Sequence, residues 1–99
     1  MGAELVIAPE AEHDLDEGYT WYEMQRIGLG EEFLTSVDAC IAPICRTPKV
    51  GRLVHENYRR ALIRRFPYAV FYEYENDTVT VYCVVHTSRD PKSWQERLP

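Results

Sequence analysis

At 99 residues, with 45% hydrophobic and 27% charged side chains, the chain has room for one small domain and too many apolar residues for disorder. A formal net charge of −5 excludes the overall cationic character through which nucleic-acid binders gain affinity by counterion release. Residues 1–45 carry ten carboxylates and one arginine (−9), residues 46–65 seven cations and one glutamate (+6), and residues 66–99 five acids and three bases (−2), so the chain is strongly dipolar.

The amino terminus has only a four-residue apolar run, Leu5 to Ala8, with no cations ahead of it. That pattern predicts neither a signal peptide nor a membrane span, and a cytoplasmic location is expected. "ELVIA" (4–8) has strand-like composition. Pro9 then suits the first turn of a helix, where Glu10, Glu12 and Asp14 meet the positive end of the helix dipole. Ala11, Leu15, Tyr19 and Tyr22 recur at helical spacing as an apolar stripe, with Glu12, Asp16 and Glu23 on the wet side.

"IGLG" (27–30) predicts a helix end and a tight turn, after which Phe33, Leu34, Val37, Ile41 and Ile44 resume the period of 3.6. The two patterns make a helical hairpin, with Pro43 expected to kink or shorten its second arm. From Arg59 the period changes to 2, and residues 59–65, 68–75 and 78–86 read as three antiparallel strands, the last two joined by an Asn76-Asp77 turn. That turn predicts Tyr74, Tyr72, Val70 and Tyr68 opposite Val79, Val81, Cys83 and Val85 on a core face. The other face then pairs Glu73 with Thr80 and Phe71 with Tyr82, and brings His86 near Pro67. In "SRDPKSWQERL" Asp90 is an N-cap and Pro91 opens a short helix carrying Trp94. The order is an α+β layer architecture in one domain spanning 1–99: strand, helical hairpin, three-stranded meander, short carboxyl-terminal helix.

Cys40, Cys45 and Cys83 form no CxxC pair and sit in helix or strand patterns, as small buried hydrophobes of a reducing compartment do. His13, His55 and His86 lie at no ligand-like spacing from them, so neither a metal nor a cofactor is expected. The most unusual feature is "RRALIRR" (59–65), four cations in seven residues within an acidic chain. On any alternation at least two of these arginines stand on the open sheet face, where an acidic partner would complement them.

The run "RRALIRRFPYAVFYEYENDTVTVYCVVHTSRDPKSWQERL", with "VIAPEAEHDLDEGYTWYE" ahead of it, resembles the RelE/ParE superfamily of bacterial type II toxin–antitoxin toxins over nearly the whole chain. The resemblance implies a hetero-oligomer with a cognate antitoxin whose acidic tail folds across the toxin. It also implies one of two activities: metal-independent, ribosome-dependent cleavage of mRNA, as in RelE-type members, or inhibition of DNA gyrase by binding, as in ParE-type members. A ribonuclease would draw on Arg60 and Arg65 for phosphate, His86 for acid–base work and Arg89 for charge stabilisation. A binding module would present Arg59, Arg60, Arg64, Arg65, Phe71 and Tyr82 to its partner.

Three departures favour the ParE-type reading. No lysine stands on a predicted strand, Ala69 occupies a position where a nuclease would favour arginine, and Trp94 stands at the carboxyl-terminal Tyr or His position. A third expectation is an inactive relative that only binds an antitoxin-like partner.

Overall fold

The computed structural model describes residues 2–99. Its elements in chain order are β1 (Glu4–Ile7), α1 (Pro9–Gln25), α2 (Leu29–Arg46), a 3₁₀ turn (Pro48–Val50), β2 (Arg52–His55), β3 (Tyr58–Leu62), β4 (Tyr68–Glu75), β5 (Thr78–His86) and α3 (Pro91–Gln95). The strands form one sheet in the order β1-β5-β4-β3-β2, with β1 parallel to β5 and the other neighbours antiparallel. The α+β order read from the sequence holds, and the meander gains β2 as a fourth, edge strand.

The helical hairpin turns where glycine permits it. Gly28 caps α2 in the left-handed region at φ 91°, and the Glu23 carboxylate of α1 accepts its N–H at 3.0 Å and that of Gly30 at 3.0 Å. A Cβ on Gly30 would lie 2.7 Å from the Tyr19 ring, so a side chain there would force the helices apart. Pro43 does not shorten α2, which continues to Arg46. Buried Ile44 anchors that last turn, and the Thr47 N–H closes it by donating to the Pro43 carbonyl at 2.9 Å.

The helices cover one face of the sheet. Phe33, Val37 and Ile44 of α2 and Ala11 and Tyr22 of α1 pack on Val70, Tyr72, Val79 and Val81. The opposite face has a smaller core of Ala69, Phe71, Cys83 and Trp94, in which the Trp94 indole stacks on Phe71 at 4.4 Å. Asp90 caps α3 as expected, accepting the Lys92 N–H at 2.9 Å.

The Asn76-Asp77 turn has φ of 53° and 60°, the positive pair that a two-residue hairpin of right-handed twist requires. Next to it the expected register holds, with Tyr74 opposite Val79 and Tyr72 opposite Val81. Beyond it the register shifts: Phe71 faces Cys83, Val70 faces Val84, Ala69 faces Val85 and Tyr68 faces His86, leaving Tyr82 as the extra residue of a bulge. The expected pairs Phe71–Tyr82, Val70–Cys83 and Tyr68–Val85 are therefore corrected. One inserted residue reverses every later side chain of β5, so Cys83 and Val85 join the smaller core, Val84 joins the helix-covered one and His86 moves to the helix side.

Candidate functional site

The four arginines of 59–65 have four different environments. Arg59 pairs with Tyr72, whose side chain belongs to the helix-covered core, and its guanidinium donates to the carbonyls of Gly51 at 2.7 Å and Lys49 at 3.1 Å. The Tyr72 hydroxyl completes that node by donating to the Pro48 carbonyl at 2.8 Å and accepting the Gly51 N–H at 2.9 Å. A Cβ on Gly51 would lie 2.8 Å from the tyrosine ring, so only glycine admits this approach. Burial holds the Tyr72 phenol above its ordinary pKa, which keeps it a donor.

Arg60 lies on the other face, opposite Phe71 in β4 and directly across from Arg52 in β2. Among the described residues neither Arg52 nor Arg60 makes an ion pair or side-chain hydrogen bond. Strand β3 ends at Leu62, so Arg64 and Arg65 belong to the loop before β4 rather than to the strand expected over 59–65. Arg64 is exposed. Arg65, at φ 73°, binds Glu32 at 2.7 Å, and Arg26 binds the other oxygen of the same carboxylate at 2.9 Å. The hydrogen bond from Arg65 and then that from Arg26 hold the Glu32 carboxyl below its ordinary range.

His86 and Arg89 line a groove of about 1020 Å³ between α1 and the ends of β4 and β5. The imidazole lies edge-on to Tyr68, with ring centres 5.3 Å apart. The Ser88 backbone N–H points at Nδ1 from 3.1 Å, with the Ser88 hydroxyl oxygen at 2.7 Å. A backbone N–H can only donate, so Nδ1 is the acceptor and neutral His86 carries its proton on Nε2. Burial keeps the Tyr68 phenol above its ordinary pKa, against the opposing pull of Arg89. The groove thus offers donors on this side: the Tyr68 hydroxyl, the imidazole N–H and the cationic Arg89 guanidinium.

The remaining wall is the α1 face bearing Glu10, His13, Glu17 and Trp21. Within it Asp14 serves the fold. Strand β1 pairs with β5 only as far as Val81, so the later Val84 N–H turns instead to the Asp14 carboxylate at 2.9 Å. The same oxygen accepts from Arg97 at 2.8 Å, tying the carboxyl-terminal segment to α1.

The four residues considered for ribonuclease chemistry do not converge. His86 and Arg89 share the groove, Arg60 lies on the opposite face and Arg65 is paired to α2. Of the expected partner-binding set, Phe71 is 1% exposed beneath Trp94, a core residue and not a surface one. Tyr82 is half-buried, with its hydroxyl 3.3 Å from Glu73 and its ring edge-on to Tyr58. Sequence reading missed Arg52, because no strand was expected there, and Trp21, although its i, i+4 spacing from Glu17 was visible.

The family described as ParE toxin of type II toxin-antitoxin system, parDE, matches residues 5–91. No curated protein matches the chain significantly. Among solved structures, a chain of the chromosomal ParDE toxin–antitoxin system from P. aeruginosa superposes with a TM-score of 0.79 at 14% identity, over 87% of this chain and 97% of that one. The isolated RelE toxin of E. coli gives 0.66 at 13% identity, over 95% and 94%. A chain of the RelBE2 toxin–antitoxin complex from Mycobacterium tuberculosis gives 0.62 at 18%, over 87% and 99%. At these identities the likeness is one of fold.

Proposed function

Because this chain belongs to the ParE toxin family of type II toxin–antitoxin systems, we propose that it is a toxin acting in the cytoplasm by binding and inhibiting a target such as DNA gyrase. A cognate antitoxin neutralises it by laying an acidic segment on the basic edge of the sheet.

The observation that carries the reading is the dispersal of the four side chains a nuclease would need to gather. Acid–base cleavage requires its base, acid and phosphate ligands within hydrogen-bond reach of one scissile group. Arg60 is separated from His86 by the sheet itself. The basic edge suits an acidic occupant: Arg52 and Arg60 face each other across neighbouring strands, where like charges are destabilising until an anion lies between them. Leu62 continues the face of Arg60 and is 61% exposed, offering apolar contact alongside the charge.

The test is a gyrase supercoiling assay with the purified protein, run beside primer extension on cellular mRNA after induction. Lost supercoiling without codon-linked cuts, reversed by the antitoxin, is the expected result. Codon-linked cuts that disappear in the His86→Ala, Arg89→Ala double variant would reverse the reading in favour of a RelE-like ribosome-dependent endoribonuclease. That second reading draws on His86, Arg89 and Tyr68 sharing one groove. Harmless expression without the antitoxin would leave only the inactive, antitoxin-binding relative.

A further inference from the structure

We propose that the groove between α1 and the ends of β4 and β5 is a second docking site, which takes an extended, basic segment of a protein partner with an apolar anchor. Its α1 wall reverses the charge of the basic edge, while Arg89 and Arg97 are the groove's own cations, Arg97 being held by Glu10 and Asp14. Helix α1 carries six carboxylates (Glu10, Glu12, Asp14, Asp16, Glu17 and Glu23) and no lysine or arginine. Asp14 and Glu23 are engaged by backbone N–H groups. Glu10 and Glu17 stand at the groove rim in partnerships that a partner's cation can displace: Glu10 is 67% exposed beside Arg97 at 3.3 Å, and Glu17 is 68% exposed beside His13 at 3.1 Å.

The opposite rim supplies donors, the Arg89 guanidinium and the Nε2–H of His86, which suit the carbonyl groups of an extended backbone. Between the rims lies an aromatic floor. Trp21 stands edge-on to Tyr22 at 5.1 Å, and Tyr22 lies 6.1 Å from Tyr68. Trp21 is 56% exposed, and Met24 and Ile27, 79% and 89% exposed, continue the apolar surface past the end of the groove. An exposed tryptophan rimmed by carboxylates favours a partner that brings an apolar side chain and a cation together, through ring contact and cation–π attraction. From Glu10 to Trp21 the helix face runs about 17 Å, the length of about five extended residues. The proposal is independent of the toxin reading, because the partner of the basic edge is acidic.

The test uses the full chain and two acetylated hexapeptide probes: Arg-Leu-Phe-Arg-Leu-Arg and a twin with glutamate in place of each arginine. The chain has two tryptophans, and the Trp94 indole, stacked on Phe71 on the far face, is an internal control. In an NMR titration the basic peptide is expected to shift the Trp21 indole and His86 ring signals saturably while Trp94 stays in place, with the acidic twin at least about tenfold weaker. Trp21→Ala, followed at His86, should weaken binding about tenfold or more, as loss of an anchor does. Glu17→Gln, a surface change that leaves the fold intact, should weaken it about two- to fivefold. The proposal is overturned if the acidic twin binds the groove as tightly, if the basic peptide perturbs other surfaces, or if no saturable shift appears at millimolar peptide.

Discussion

The two charged regions of this molecule divide their side chains in the same way, but at opposite ends of the charge scale. In "RRALIRR", Arg59 and Arg65 are held by the chain itself, one by backbone carbonyls and one by Glu32, while Arg60 and Arg64 have no side-chain partner among the described residues. In α1, Asp14 and Glu23 hold backbone N–H groups, while Glu10 and Glu17 stand at the rim with displaceable partners. Charge counted along a sequence therefore overstates the charge a surface can offer, by whatever share the fold consumes for its own unpaired backbone groups.

The sharpest way to break this comparison is to remove a consumed charge. Asp14→Ala leaves both the Val84 N–H and the Arg97 guanidinium without their acceptor. It should cost about 2–3 kcal/mol of stability, measured by urea unfolding. Arg59→Ala removes donors from the Lys49 and Gly51 carbonyls and should cost about 1–2 kcal/mol. Faster amide exchange confined to β2 and β3 would be its signature, since these carbonyls precede the edge strand.

Removing a free charge should do the reverse. Arg60→Ala and Arg64→Ala should each change stability by less than about 0.5 kcal/mol, because neither side chain has a partner among the described residues to lose. The double variant should nonetheless weaken antitoxin binding and flatten its salt dependence, read by calorimetry at two ionic strengths. If instead it unfolds the protein while Arg59→Ala is silent, the division of roles is inverted.

The smallest effect concerns Glu32, between Arg26 and Arg65. Its carboxyl is held below its ordinary value in the folded state, chiefly by Arg65. A lowered folded value stabilises above the ordinary carboxylate pKa, and that stability is lost as pH falls through the folded one. The melting-temperature difference between the parent and Glu32→Gln should accordingly be largest near neutrality and vanish in acid. A difference that grows on acidification would contradict the ion-pair account.

Much of the scaffold was legible in the residues. The apolar period of 3.6 after "IGLG", the alternation of 68–75 and 78–86, and the Asn-Asp turn all appear where local chemistry put them. Strand β2 was not legible: "RLVH" has four residues, half of them exposed, and its strand state comes from pairing with β3 along the sheet edge. The bulge at Tyr82 was also hidden, because "VTVYCVVH" alternates acceptably in either register. That one shift sent His86 to the α1 groove, away from the face of Arg60, while the end of β3 at Leu62 left Arg65 to pair with Glu32.

By itself the sequence determined the element order, the two periodicities, the turn residues and the opposed charge of α1 and the 46–65 segment, since each is a local property of side chain and backbone. Only the tertiary structure decided which charges remain available and which face each site residue takes. Those outcomes depend on where β1 stops pairing with β5, leaving the Val84 N–H to Asp14, and on one extra residue in β5. Both are settled by satisfying backbone groups between segments far apart in the chain.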